Sequence, residues 1–279
     1  MSALVQAEQA CIQQAAFNKD SYKVVSGSIP NNEIIDEEWK TLQTWITETD
    51  IKVINFNNPY LTYDTCMRFL RARDMDIPKA TIMLKDHIEF MEKEKPDKIT
   101  VADVPSAMAS GCWGMICETL TQNPCLLIDL KKWNPHEYSI EEYIKFVSFF
   151  EFNAPLSGKL GIHQVTIIFD MAGWAMWHAQ YLSYIKSLVA LSQDQFPERS
   201  KSIYIINAPF IFRATWSLIS PLVDENTRKK IEFISGKPEV RMRELFNLDE
   251  LPASVGGNRT VPYPVPNLPG FENVVISTV

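Results

Sequence analysis

The run Ser202-Ile-Tyr-Ile-Ile-Asn207 is almost continuously apolar and ends in a polar residue. Two earlier runs have the same form, Pro124-Cys-Leu-Leu-Ile-Asp129 and Val165-Thr-Ile-Ile-Phe-Asp170. Apolar runs of this length are typical of strands that are buried on both faces, as in parallel sheets. Helical patterns at 139–153 and 179–194 lie between the runs. The alternation of strand and helix predicts a largely parallel α/β sheet.

The segment after Asn207 predicts a helix at 209–222 that is apolar on nearly every side. Two interpretations of this helix remain open. It is an ordinary core helix, or it is a movable wall with one face on an apolar interior and the other on a membrane. A charged helix is predicted next, from Asp224 to Phe233. The segment from 261 to 271 carries four prolines, which predict an extended strap or a disordered tail.

The chain before the sheet predicts a helical lobe. Apolar residues recur at helical spacing in 33–49, 62–73 and 77–94. Asp76 is expected to cap the third helix, and Pro78 suits its first turn. The predicted organisation is an extension at 1–32, a helical lobe at 33–98, an α/β domain at 99–260 and a proline-rich tail at 261–279.

Composition excludes several classes of protein. The chain has 279 residues, of which 46% are hydrophobic and 22% charged, as in ordinary globular proteins. Its 27 basic and 34 acidic residues give a net charge of −7, which argues against binding to nucleic acid. The sequence shows no secretory signal and no apolar run of about 18 residues, so we expect a cytoplasmic protein. The five cysteines lack C-x-x-C spacing, which favours reduced thiols.

Common catalytic signatures are missing from the sequence. It contains no G-x-S-x-G, H-E-x-x-H, Walker-type or G-x-G-x-x-G motif. The four histidines are scattered, and Asp129 and Asp170, which each end a predicted strand, are expected in turn or capping roles. The sequence therefore predicts a protein that is not an enzyme, with no catalytic residues, no metal and no cofactor.

Three ordered motifs resemble the CRAL-TRIO lipid-binding family. They are Met67-Arg-Phe-Leu-Arg-Ala-Arg-Asp74, the stretch from Phe196-Pro-Glu-Arg to Asn207-Ala-Pro-Phe210, and Leu251-Pro-Ala-Ser-Val-Gly-Gly257. Together they cover about residues 33–260. The resemblance implies an α/β domain beside the helical lobe, with a mostly parallel sheet that floors an apolar lipid cavity. It also implies that a gate helix, here the predicted helix at 209–222, closes this cavity.

The resemblance also implies a headgroup site. The phosphatidylinositol-binding branch of the family uses an Arg, a Glu, a Thr and a Lys, which fall here on Arg73, Glu198, Thr227 and Lys230. Their side chains suit a phosphodiester and inositol hydroxyls. The alternative is that all four have ordinary structural or solvated roles. Asp74 stands where many members have Lys, which would weaken the positive potential near the phosphate.

A second ligand is implied by the same resemblance. The family's phosphatidylcholine site uses Ser, Thr and Tyr side chains, but the matching positions here are Val165, Ile167, Met115 and Leu126. The apolar set favours another hydrophobic ligand, such as a sterol or a retinoid- or tocopherol-like molecule, over phosphatidylcholine. The residues expected at the gate helix and its hydrophobic pocket are Phe210, Phe212, Trp216, Ile219, Val165, Ile167, Trp174 and Trp177.

The implied function is lipid binding and exchange by a monomer that contacts membranes transiently. Such a protein would carry phosphatidylinositol and an unidentified hydrophobic second ligand, and would present phosphatidylinositol to a lipid kinase. Two alternatives stay open: a dedicated carrier of one small hydrophobe without phosphoinositide binding, and an enzyme or GTPase-regulatory protein that uses the fold as a scaffold. Basic residues that would form a membrane-facing patch, or an ordinary solvated surface, are Arg199, Lys201, Arg213, Arg228, Lys229 and Lys230.

Overall fold

A computed structural model describes residues 32–48, 63–157 and 164–260 of the chain. The predictions for the extension before residue 32 and for the tail at 261–279 lie outside these residues. The chain divides into two compact units, with the division between Lys95 and Pro96. The four predicted segments and the boundaries between them stay predictions.

The first unit is helical, as predicted. Its helices are α1 (Asn32–Glu48), α2 (Tyr63–Arg71) and α3 (Ile77–Glu94). The carboxylate of Asp76 caps α3 by accepting a hydrogen bond from a backbone N–H in the first turn (3.0 Å), and Pro78 lies in that turn, so both predictions are confirmed. The three helices share one buried core, which contains Leu42, Trp45, Met67, Leu70, Met83 and Leu84.

The second unit is built on one five-stranded sheet in the order β1-β2-β3-β4-β5. β1 pairs antiparallel with β2, and all other neighbouring strands are parallel, which confirms the mostly parallel sheet. The strands are β1 (Trp113–Glu118), β2 (Pro124–Asp129), β3 (Val165–Asp170), β4 (Ser200–Ile206) and β5 (Ile231–Ile234). The helices of this unit are α4 (Pro105–Ala109), α5 (Ile140–Asn153), α6 (Leu182–Gln195), α7 (Phe212–Ile219), α8 (Glu225–Lys229) and α9 (Glu239–Leu245).

Two predicted helices differ from the structure. The charged helix predicted from Asp224 to Phe233 is wrong in its second half, because α8 ends at Lys229 and the following apolar residues form β5 beside β4. The helix predicted at 209–222 is shorter: α7 spans Phe212–Ile219, and a 3₁₀ turn, Ser220–Leu222, follows. Pro221 lacks the N–H that an α-helix would use there, and this accounts for the early end.

Each face of the sheet has its own core. One face packs against α9 and the segment after it, through residues such as Ile168, Ile206, Met242, Phe246, Leu251 and Val255. The other face packs against α5, α6 and α7. At the β1 end of that face the packing is tight, because the ring of Trp113 contacts Phe146 and Phe150 of α5 at centroid distances of 5.4 and 5.5 Å.

The Leu251-to-Gly257 motif closes the second core for steric reasons. Leu251 is fully buried. A Cβ atom on Gly257 would lie 2.0 Å from the carbonyl oxygen of Leu251, which is far inside van der Waals contact. Gly256 adopts a positive φ of 97°, which favours glycine. The two glycines therefore let the chain fold back on itself at this point.

Candidate functional site

The sheet face under α6 and α7 carries two cross-strand rows of apolar side chains. Strand pairing fixes the rows, because residues paired in register point to the same face. The first row is Met115, Leu126, Ile167, Ile203 and Ile231, and the second is Trp113, Ile128, Phe169, Ile205 and Phe233. Three of the four positions that the resemblance singled out for a second ligand lie in the first row. The fourth, Val165, lies at the start of β3 and belongs to the same core.

Part of this face is incompletely covered. Ile167 and Phe169 lie on β3, the central strand, yet both are only half-buried. Phe233 on β5 is 42% exposed. In a close-packed core such side chains would be fully buried. The apolar residues of α6 that pack against this core are also half-buried, namely Leu182, Tyr184, Ile185, Leu188, Val189 and Leu191.

α7 has apolar side chains on both sides. Its inner side is buried through Phe212, Thr215 and Ile219. The half-buried Trp216 contacts the ring of Phe233 on β5 at 5.1 Å. On the outer side, Leu218 is 59% exposed, and Ile211 and Leu222 are exposed beside it. The helix is therefore an apolar cover with a second apolar surface facing outward.

Two of the residues expected at the gate helix and its hydrophobic pocket, Phe210 and Trp177, are exposed. Phe210 precedes α7 and is 80% exposed, with the guanidinium of Arg213 over its ring at 4.9 Å. Trp177 is exposed and stacks on His178 at a centroid distance of 3.7 Å. The other predicted residues of the set are buried or half-buried within the core under α7.

A stack of aromatic rings packs against α7 at Phe212. The indole of Trp174 contacts Phe212 at 5.2 Å and lies against the imidazole of His178 at 5.0 Å, and Trp133 stacks on the other rings. Within the part of the chain that the structure describes, the Nε1 atom of Trp174 has no hydrogen-bond partner. The backbone N–H of Ala175 donates to Nδ1 of His178 (2.9 Å), and burial lowers the pKa of this histidine.

Polar groups meet at the opposite end of the strands, where β4 and β5 begin. Lys230 immediately precedes β5, and its Nζ donates to Oε2 of Glu198 at 2.8 Å. Both side chains are largely buried. Glu198 adopts a positive φ of 58°, and its carbonyl oxygen accepts a hydrogen bond from Nε2 of Gln164 (3.1 Å). Thr227, three residues before Lys230, is half-buried in α8. The structure thus brings together Glu198 and Lys230 of the predicted headgroup residues, with Thr227 on the preceding helix.

Arg73 belongs to the helical unit. It follows α2, is half-buried, and donates from Nη1 to the backbone carbonyl of Ala72 (2.9 Å). A neighbouring cation of the same motif has a structural partner, since Arg71 forms a bidentate pair with Glu38 at 2.8 and 3.1 Å. Asp74 is exposed beside Arg73.

The six basic residues considered for a surface patch do not form one uniform exposed group. Lys229 pairs with Glu225 at 2.9 Å, and Lys230 pairs with Glu198. Lys201 is half-buried and has a lowered pKa, because burial and the positive charge of Lys230 both disfavour its protonated form. The sequence predicts a surface position for Lys201, because the irregular pairing at the start of β4 cannot be recognised from the sequence.

The strand-end carboxylates have the predicted turn roles. Oδ1 of Asp129 accepts from the N–H of Lys131 (3.0 Å), and Oδ1 of Asp170 accepts from the N–H of Ala172 (3.0 Å). The side chain of Asn207 also donates to Asp170 (2.9 Å). The cysteines at 66, 112, 117 and 125 are free and buried. Among residues 32–48, 63–157 and 164–260, no cluster has the composition of a metal site, and no helix is long and apolar enough to cross a membrane.

Comparisons with known proteins agree with this architecture. A solved structure described as the crystal structure of Sfh5 superposes with a TM-score of 0.60 at 13% sequence identity, over 88% of this chain and 93% of the other. The chain is 40% identical over 85 residues to Sec14 cytosolic factor of Schizosaccharomyces pombe, which is 30% of this chain and 29% of that protein.

Longer alignments reach other relatives at lower identity. The chain is 27% identical to Protein real-time of Anopheles gambiae, over 73% of this chain and 33% of that protein. It is 25% identical to the phosphatidylinositol/phosphatidylcholine transfer protein SFH9 of Arabidopsis thaliana, over 70% and 37%. The matches therefore span about a third of each of these curated relatives.

Family models match both units of the chain. The model of the CRAL/TRIO N-terminal domain matches residues 35–86, in the helical unit. The model of the CRAL/TRIO domain matches residues 109–257, more than half of the chain, and takes in all five strands. The chain therefore belongs to the CRAL/TRIO family.

Proposed function

We propose that the protein binds a lipid whose apolar part lies on the two apolar rows beneath α7, and that it exchanges this lipid with membranes. The observation that carries the proposal is the apolar sheet face with half-buried side chains under α6 and α7. Transfer of an acyl chain out of a bilayer costs about 0.8 kcal/mol per methylene. A carrier must therefore enclose the chain against an apolar surface, which this face provides.

The proposed headgroup is that of phosphatidylinositol. Lys230 supplies a cation for the phosphodiester, while Thr227 and Glu198 supply hydrogen bonds for phosphate and inositol hydroxyls. Arg73, the fourth residue that the resemblance implies, lies in the helical unit, and its part in headgroup binding is a separate proposal that the Arg73→Ala variant tests. Support comes from the matching residue types and from a relative whose name states phosphatidylinositol transfer. Presentation of the bound headgroup to a lipid kinase is part of the same proposal.

The proposed second ligand is hydrophobic and is not phosphatidylcholine. Met115, Leu126 and Ile167 lie side by side in one row, so no hydroxyl is available there to bind a choline phosphate. A sterol or an isoprenoid-like molecule fits such a lining. The Nε1 atom of Trp174, which is buried and has no partner among the described residues, offers one donor for a ligand oxygen if Phe212 moves away with α7.

Membrane docking is proposed for the outer side of α7. Leu218 and Phe210 are the most exposed large apolar residues of this segment. Amphipathic contacts of this kind bind reversibly at the interface between headgroups and acyl chains. Arg213, beside Phe210, adds a cation that favours anionic lipids.

The headgroup assignment is tested by phosphatidylinositol transfer between vesicles. We expect Arg73→Ala, Thr227→Ala and Lys230→Ala each to slow transfer, while Lys237→Ala, in the exposed turn after β5, transfers like the wild type. Thermal unfolding of each variant separates lost binding from lost folding, since Lys230→Ala leaves Glu198 without its ion pair. Unchanged transfer in all three variants would remove the assignment.

Extraction of lipids from the purified protein distinguishes a second candidate function, a dedicated carrier of one small hydrophobe. The continuous apolar rows and the acidic Asp74 next to Arg73 favour this second candidate. Lipids extracted from the purified protein would then contain a sterol or isoprenoid and no phosphatidylinositol. Phosphatidylinositol in the extract supports the first candidate.

A further inference from the structure

Lys201 occupies an irregular point in the sheet. Val165 on β3 pairs with Ser200, but the next residue, Thr166, pairs with Ser202, so Lys201 is an extra residue in β4. A β-bulge of this kind redirects a side chain and often occurs beside a functional site. The bulge lies at the end of the sheet where Lys230 meets Glu198. The backbone confirms the proximity, because the N–H of Ile203 donates to the carbonyl oxygen of Lys230 (2.9 Å).

The side chains of Lys201, Lys230 and Glu198 beside this bulge carry a net positive charge. Glu198 is the carboxylate that pairs with Lys230, and within the described part of the chain Lys201 forms no ion pair. The neighbouring Arg199 has interactions of its own. Two lysines and one glutamate leave one net positive charge on half-buried groups. Such charge is costly unless an anion compensates it.

We propose that Lys201 is an additional ligand-binding residue, and that Lys201 and Lys230 together bind one phosphodiester group. The inference rests on the proposed function and extends its headgroup site by a residue that is not among the four implied by the resemblance. A phosphodiester carries one negative charge and therefore neutralises the cluster. Glu198 holds Lys230 in place in the free protein and accepts hydrogen bonds from the ligand's hydroxyls when the phosphodiester is bound.

The lowered pKa of Lys201 agrees with a site that is prepared for an anion. Repulsion between the two lysines destabilises the protein without ligand, and a bound phosphodiester reverses this effect. Removal of the Lys201 charge is therefore expected to stabilise the lipid-free protein while it weakens ligand binding. An ordinary surface lysine would do neither.

The test compares Lys201→Gln and Lys201→Arg with Lys237→Gln as the matched control. We expect Lys201→Gln to raise the unfolding temperature of the lipid-free chain and to lower phosphatidylinositol uptake from vesicles about tenfold, since a charge-assisted hydrogen bond contributes on this scale. Lys201→Arg retains most of the uptake, and Lys237→Gln matches the wild type. Wild-type uptake by a folded Lys201→Gln variant would overturn the proposal.

Soluble probes separate the two sources of a phosphate group. If the site takes a lipid headgroup, glycerophosphoinositol raises the unfolding temperature of the wild type and not of Lys201→Gln. If wild-type protein takes up no phosphatidylinositol, the proposed function fails. The unfolding temperature in the presence of inorganic phosphate then tests whether Lys201 is part of an anion site. Stabilisation by inorganic phosphate that depends on Lys201 supports an anion site for free phosphate. Absence of any Lys201-dependent stabilisation overturns the anion site as well.

Discussion

Gly257 shows how a single residue fixes the end of the α/β unit. Replacement by Ala would place a Cβ atom 2.0 Å from the carbonyl oxygen of Leu251, and neither backbone can move without disrupting the buried core around it. We expect Gly257→Ala to destabilise the protein by more than about 2 kcal/mol. Chemical denaturation measures the loss.

Gly236 provides the control for that variant. Its φ is 80°, and a Cβ atom there would have no neighbour within 4 Å. Gly236→Ala should therefore cost only the conformational penalty of about 1 kcal/mol. Equal losses in the two variants would show that the contact with Leu251 is not what makes Gly257 necessary.

His178 makes the stability of the ring stack depend on pH. Burial lowers its pKa below the ordinary value of 6.5, so the folded protein keeps the ring neutral while the unfolded chain takes up a proton. The unfolding free energy should therefore fall as the pH decreases from 6.5 through the lowered pKa, and this contribution is fully present above 6.5. Denaturation of wild type and His178→Gln over this range measures the difference. Identical pH dependence in the two proteins would contradict this account.

Side-chain roles could be predicted from sequence only where they depend on local chemistry. Asp76, Asp129 and Asp170 cap or close turns as predicted, because an Asp carboxylate reaches backbone N–H groups two or three residues away. The half-buried position of Lys201 could not be predicted, because it depends on a bulge in the pairing of β3 with β4. The roles of Arg73 and Thr227 stay predictions.

At the scale of elements, α7 combines two apolar surfaces that should have separate effects. Leu218 lies on the exposed side and Ile219 on the buried side of the same helix. We expect Leu218→Ala to slow transfer from vesicles with little change in stability. We expect Ile219→Ala to destabilise the protein by about 2–5 kcal/mol.

Vesicle transfer and thermal unfolding of both variants check this separation. The two substitutions remove similar amounts of apolar side chain from adjacent positions, so each variant serves as the control for the other. Normal transfer by Leu218→Ala would argue against membrane contact through the outer side of α7.

The elements that could be predicted are those with a clear period or a long apolar run. β2, β3 and β4, and the helices between them, follow from such patterns. β5 was missed because its four residues follow directly on the charged α8, so the two together resemble one helix. β1 was missed because Trp113–Glu118 contains a glycine and its pairing with β2 has a bulge. Short strands at the edges of a sheet depend on partners that are distant in sequence.

At the scale of the whole molecule, the two faces of the sheet have different packing. The face toward α9 is closed by fully buried residues, whereas the face toward α6 and α7 retains half-buried apolar side chains on the central strand. The alternation of strands and helices predicted the sheet, but the packing on each face depends on how helices lie across it. The apolar pattern of a helix does not show by itself whether the helix is an ordinary core helix or an apolar cover with an exposed second surface, as α7 is.

Native mass spectrometry of the full chain after incubation with vesicles that contain phosphatidylinositol tests the enclosed-lipid account most directly. We expect folded protein that carries the mass of one phosphatidylinositol molecule, and we expect Lys237→Gln to carry the same mass. Folded wild-type protein that carries no lipid after this incubation would contradict the account.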